Sequence, residues 1–286
     1  MARTNRILTA CLLVPLAAAG LAACSSAEAA TGSVAEDCTP AHTFDTVASG
    51  TLTVAADVSL PYVDVDDVTG ELGGVDGLVL AKIAEMECLT VANATVHGST
   101  AIGSVQQNQS DVASGGWYWT EEHGEVLNQT DPVYFDFTAM TSKDGQYSSL
   151  DDVTGKVVGV TQGSLFVEDL QNALGADSVK QYETLPQAIA DLKNGRIDAV
   201  IAGSGESGYQ LQQAGDDSGL GLTAMSPDER LSATLEAGRV VFPSTKGNDD
   251  LTTAMNEDIE TLRGNGFVQD ALNQYGLTAP ENFESK

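Results

Sequence analysis

A chain of 286 residues, 42% of them apolar, has room for one large domain or two ordinary ones with real cores. A mean hydropathy of -0.07 excludes a polytopic membrane protein. With 41 acidic against 13 basic residues the net charge is -28, a surface that repels phosphate backbones and anionic lipid and argues against nucleic acid as a partner. The first stretch reads as an address. Arg3 and Arg6 precede an apolar run over 7–19, too short for the roughly 20 residues that cross a bilayer, and small residues follow where a signal peptidase would cut.

Leu21-Ala22-Ala23-Cys24 resembles the lipobox of bacterial lipoproteins. The resemblance implies that residues 1–23 are removed and that Cys24 carries the lipid anchor. Residues 24–37, small and polar, then suit a flexible tether. Cys11 leaves with the signal, so Cys38 and Cys88 remain as a disulfide suited to an oxidising compartment. Neither sits in a CxxC or a Cys/His metal spacing, and the sequence points to no metal and no cofactor.

From Gly50 short apolar runs alternate with helical patterns. A strand is expected over 51–56, a hairpin over 62–75 around Thr69-Gly70, and a helix whose Val79, Ile83 and Met86 share a face. Strands follow at 89–96, 111–114 and 133–141, with a helix over 100–107. The rhythm then restarts: a strand at 156–160, a helix at 164–174 and a strand at 179–182. Thr184-Leu185-Pro186-Gln187 has capping-box spacing, opening a helix through Asn194, and 197–202 is a further strand. In the tail Leu251, Met255, Ile259 and Leu262 share one helical face, and Phe267, Ala271 and Tyr275 another. The fold class is α/β: two lobes with mostly parallel sheets and a cleft between them.

The order of motifs from Gly50 to about Leu277 resembles family 3 of the extracellular solute-binding proteins, the polar amino-acid receptors of ABC importers. Gly50-Thr51-Leu52-Thr53-Val54, Asp57 and Pro61-Tyr62 open it, and Gly74-Val75-Asp76-Gly77-Leu78-Val79-Leu80-Ala81 stands where the family reads Gly-Phe-Asp-Val-Asp-Leu-Ala. Thr120-Glu121-Glu122-His123 runs into Thr130-Asp131-Pro132-Val133-Tyr134. Leu150-Asp151-Asp152-Val153-Thr154-Gly155-Lys156-Val157-Val158-Gly159-Val160 opens the second lobe, Gly163-Ser164 sits at its ligand turn, and Asn194-Gly195-Arg196-Ile197-Asp198-Ala199-Val200 marks a later strand. The resemblance implies a type II periplasmic-binding-protein fold hinged by two crossing strands. These fall near 141–145 and 224–230, so that 38–142 with 228–286 form lobe 1 and 143–227 lobe 2. It implies a monomer on the outer face of the cell membrane, with an ABC permease as partner.

An amino-acid site needs an anion receptor for the carboxylate and an acid for the ammonium. The resemblance puts the first, an arginine in the family, at His123, and the second at Gly203. Both halves of the clamp are therefore altered. Glu206 supplies an acid from a shifted position or is a solvated loop charge, within a run over 203–208 that reads as a loop. His123 receives an anion only when protonated and is equally a surface or capping histidine. Gly116 and Trp117-Tyr118-Trp119 occupy the ligand loop where the family carries small or hydroxyl side chains. Alternation turns Tyr118 one way and both tryptophans the other. With Tyr62 they suggest an aromatic platform for a cation, or else tryptophans wedged into the core. Gln162, Gly163 and Ser164 offer polar groups at the start of a helix, fit for an anion or for capping, and Asp57 ends its strand at the cleft or caps a loop. No HExxH, phosphate loop or Gly-x-Ser-x-Gly elbow is present, which argues against an enzyme. A cyclohexadienyl-dehydratase-like enzyme using Glu206 and His123, and a sensor signalling to a membrane partner, share this fold and remain as alternatives.

Overall fold

Alternation in Thr-Leu-Thr-Val-Ala-Ala sets the first strand, β1 (Thr51–Asp57), whose Leu52, Val54, Ala55 and Ala56 are buried. The structure, a computed structural model, describes residues 34–284, so the leader, Cys24 and the tether up to residue 33 lie outside the described residues. A small hairpin, β2 (Asp64–Val65) with β3 (Leu72–Gly73), leads into α1 (Gly74–Met86). Then come β4 (Thr90–Val96), α2 (Ser99–Gln106), β5 (Val112–Ser114), α3 (Glu121–Val126), β6 (Asn128–Gln129) and β7 (Tyr134–Asp136). The second lobe runs β8 (Thr138–Lys143), β9 (Val158–Thr161), α4 (Val167–Leu174), β10 (Val179–Tyr182), α5 (Leu185–Lys193), β11 (Ala199–Gly203), α6 (Ser204–Ala214) and β12 (Leu220–Ala224). The chain returns through β13 (Gly238–Val240) and β14 (Pro243–Ser244) to α7 (Asp249–Gly264) and α8 (Phe267–Gln274).

Two five-stranded sheets result, ordered β4-β1-β5-β14-β6 and β10-β9-β11-β8-β12. The first packs against α1, α7 and α8, where Leu251, Met255, Ile259 and Leu262 form the buried stripe that their spacing predicts. Each such side chain, fully buried, contributes about 1.5–3 kcal/mol. Met140, Val158, Val160, Leu170 and Ile201 centre the second core. Cys38 and Cys88 are bonded, with Cα atoms 5.8 Å apart, closing the N-terminal segment onto the end of α1.

Several sequence expectations shift. The single strand at 133–141 is two: β7 pairs with β13 in a ribbon, and β8 joins the second sheet along its whole length. The first crossing therefore falls at Phe137 rather than at 141–145. The second falls after Leu231, which is buried in the second core, so residues 228–234 belong with that lobe. Residues 133–142 are buried without a break, and a stretch buried along its whole length does not say which sheet each half joins. The run 203–208 is not a loop: Gly203 ends β11 and residues 204–208 open α6. Its glycines are there for close approach, since a Cβ on Gly208 would stand 2.4 Å from the Gly276 carbonyl oxygen. Thr184 precedes α5 but its side chain makes no capping bond, so the capping box does not form.

Candidate ligand site

The strand β7 ends on a buried acid. Asp136, 4% exposed, accepts four hydrogen bonds. The Tyr62 and Tyr118 hydroxyls donate to Oδ2 at 2.5 and 2.9 Å, and the Ser204 hydroxyl and Gly205 N–H donate to Oδ1 at 2.6 and 3.0 Å. Tyr62 and Tyr118 come from loops of the first lobe, while Ser204 and Gly205 begin α6 of the second. The acid between the sheets is thus the meeting point of both lobes. Burial, with the Asp136 charge second, raises both phenol pKa values, so the tyrosines stay neutral donors.

Glycines make the packing possible. A Cβ on Gly116 would come within 2.7 Å of the Tyr62 ring, and one on Gly205 within 2.8 Å of its hydroxyl. Tyr118 lies on Gly238 in the same manner, at 2.8 Å. A Cβ on Gly203, where the family resemblance places the acid, would point at the Asp136 carboxylate from 3.0 Å. The end of β11, which carries no acid of its own, thus faces one carried by β7.

Beside this knot the second lobe holds a cavity of about 250 Å³ lined by Thr161, Gln162, Gly163, Ser164, Phe166 and Glu206 among others. Glu206, on the first turn of α6, is partly buried. Burial, and then the charge of Asp136, push its carboxyl above the usual range. The Ser164 hydroxyl is buried with no partner. The helix expected from residue 164 begins at Val167, because the Ser164 N–H turns back onto the Thr161 carbonyl, so Ser164 caps nothing. Gln162 and Gly163 are exposed at the rim.

The remaining candidates divide. Tyr118 and Tyr62 converge, but the tryptophans do not join them. Trp117 packs on the cluster of Ala55, Ala101, Val105, Ala113 and Leu127, with its ring edge-on to His123 at 5.9 Å. Trp119 lies under the Arg239 guanidinium at 4.1 Å, its cation already supplied. Backbone pairing of 117–119 with 239–241 fixes this alternation. A three-aromatic cage is therefore not assembled. His123 sits in α3, in the first lobe, with Nδ1 buried and unpartnered. It is not hydrogen-bonded to Glu206 across the cleft, as the enzyme alternative needs. Asp57 ends β1 with its Cβ against Gly115. Asp136 and Ser204 were not singled out from the sequence. The signal for Asp136 was there, a lone acid inside Val133-Tyr134-Phe135-Asp136-Phe137.

The family model of the bacterial extracellular solute-binding proteins, family 3, matches residues 52–278. An ABC transporter arginine-binding protein 1 of Escherichia coli K12 is 22% identical over 82% of this chain and 93% of its own. An L-cystine-binding protein of the same strain is 25% identical over 77% and 80%. Among solved structures, an ancestral cationic amino-acid solute-binding protein superposes with a TM-score of 0.67 at 19% identity, covering 79% of this chain and 96% of that one. At that identity the likeness is one of fold, and it is the two-lobed type II periplasmic-binding fold.

Proposed function

Because the chain belongs to the bacterial extracellular solute-binding proteins, family 3, we propose that it captures an amine-bearing or cationic solute of amino-acid size between its lobes and presents it to an ABC permease. A pair of acids without a cation carries this reading. Among the described residues neither Asp136 nor Glu206 pairs with a lysine, arginine or histidine; the charges of both raise the pKa of Tyr62 and Tyr118, and Asp136 raises that of Glu206. Two carboxylates withdrawn from water repel, and an ammonium between them relieves both. Tyr62 and Tyr118 then offer hydroxyls and ring faces to the cation. The unpartnered Ser164 hydroxyl, with Gln162 at the rim, takes the polar far end of the solute.

The relatives named for arginine and L-cystine bind molecules that carry ammonium groups, which agrees with this class. No helix among the described residues is long and apolar enough to cross a membrane. We place the protein as a monomer held at the outer face of the membrane by acyl chains on Cys24. Incorporation of labelled fatty acid, lost on Cys24→Ala, checks that anchor.

The ligand class is tested by thermal unfolding of the protein against amino acids, polyamines, betaines and small organic acids. A ligand at 100 times its Kd adds about 2.7 kcal/mol, which raises Tm by about 2–4 °C for a chain of this size. The expected result is a shift with amine-bearing or quaternary compounds and none with organic acids. A shift confined to organic acids would end the proposal.

A further inference from the structure

Far from the cleft, a second group of acids lies on the first lobe's outer side. Glu87 follows the last turn of α1, and Asp258 lies on α7. They are 3% and 1% exposed. His42, from the segment beyond the Cys38–Cys88 disulfide, reaches between them. Its Nδ1 stands 2.6 Å from Glu87 Oε1, and its backbone N–H donates to Glu87 Oε2 at 2.9 Å. The donor atoms of His42, Glu87 and Asp258 all lie within 4.8 Å of one another.

Three features distinguish this group from an ordinary charged surface. Asp258 Oδ2 is buried and has no hydrogen-bond partner. A bare carboxylate oxygen beside a second buried carboxylate is costly. Among the described residues no lysine or arginine pairs with either acid, leaving His42 as their basic neighbour. The far nitrogen of His42, Nε2, is 3.0 Å from Glu257 Oε2. Nε2 held on Glu257 is the carboxylate–histidine support that metal-ligating histidines receive, while Nδ1, which donates to Glu87 in the metal-free protein, releases that proton to solvent when it takes a metal.

We propose that His42, Glu87 and Asp258 form a structural site for a divalent transition-metal ion of the zinc class. One imidazole nitrogen and two carboxylates make a mixed donor set that suits zinc, whereas magnesium and calcium favour all-oxygen sets. Zinc holds such ligands at about 2.0–2.2 Å, so the trio draws in by side-chain rotation. The ion ties the N-terminal segment to α1 and α7 next to the disulfide, fastening the lobe where the tether leaves it. The donors come from three distant stretches of chain, His42 and Glu87 being 45 residues apart, so no local spacing reveals them.

The test is calorimetric titration of chelator-stripped protein with zinc chloride, alongside thermal unfolding. Expected are one equivalent bound and a Tm raised by about 2–4 °C at 100 times Kd, with no shift from magnesium. Asp258→Asn and His42→Gln each weaken zinc at least tenfold, while His97→Ala leaves it unchanged. His42 is only partly buried, so its variant reports even if Asp258→Asn folds poorly. Absence of zinc binding overturns the proposal, as does wild-type affinity in His42→Gln.

Discussion

Asp76 and Asp136 are both buried acids that accept four hydrogen bonds, one or two of them from tyrosine, yet they serve different ends. Asp76, in the first turn of α1, takes the Tyr134 hydroxyl at 2.6 Å, the Gly115 and Gly116 N–H groups at 3.1 and 2.9 Å, and the Ser114 hydroxyl at 3.4 Å. All of these partners belong to the first lobe. Asp136 draws its partners from both. Tyr134 and Asp136 are two residues apart on β7, so their side chains share a face. The loop carrying Gly115, Gly116 and Tyr118 is strung between the two acids. The contrast teaches that an acid bonded within one lobe braces the site, whereas one bonded across the hinge responds to whether the lobes meet and to what lies between them.

The sharpest way to break the comparison is Asp76→Ala. It strands four donors in a dry core, and a loss of about 3 kcal/mol or more is expected in urea unfolding. Asp136→Asn keeps shape and removes charge. Its main effect is expected on ligand, with affinity for a cationic solute falling about ten- to hundredfold in calorimetry. Its stability loss should be smaller than that of Asp76→Ala. If the two variants lose stability alike and Asp136→Asn binds normally, the two acids do the same job and the distinction fails. Tyr118→Phe or Tyr62→Phe removes one donor to Asp136, and about fivefold weaker binding is expected for each. Retained affinity in both would show that the ring faces alone hold the ligand.

The two-lobed architecture was legible because apolar runs and helical stripes recur with short turns between them, and the stripe of Leu251, Met255, Ile259 and Leu262 is the clearest case. The hinge was not, because residues 133–142 are buried throughout and only the pairing of β7 with β13 and of β8 with β11 divides them. Tyr62 and Tyr118 were named from the family loops and from alternation, and the structure brings them together on Asp136. Asp136 was not named because an acid was sought at the end of β11, and a carboxylate that reaches Gly203 from β7, a strand of another sheet, leaves no trace in spacing. The α6 start was missed for a related reason: Gly205 and Gly208 read as loop residues until the tyrosine ring and the Gly276 carbonyl that crowd them are known.

The smallest effect, and the most specific, concerns Glu206. Burial and the nearby Asp136 raise its carboxyl pKa in the folded protein, so it takes up a proton at a higher pH than an exposed glutamate. Without ligand, the protonated form favours the folded state. The stability this group contributes is full below its unfolded pKa and is lost as pH rises through the folded one. A cationic ligand reverses the sign, because it prefers Glu206 charged. Affinity for a quaternary ammonium, whose own charge does not titrate, should therefore fall as the solution is taken from neutral to mildly acidic pH, by no more than about tenfold for a single coupled carboxyl. Glu206→Gln should flatten that profile and bind at the weakened level throughout. The Asp136→Asn variant should bind more weakly but, with Asp136 no longer raising Glu206, bend its profile at a lower pH. A profile that stays flat in the wild type would place Glu206 outside the ligand's reach and leave Asp136 as the acid that recognises it.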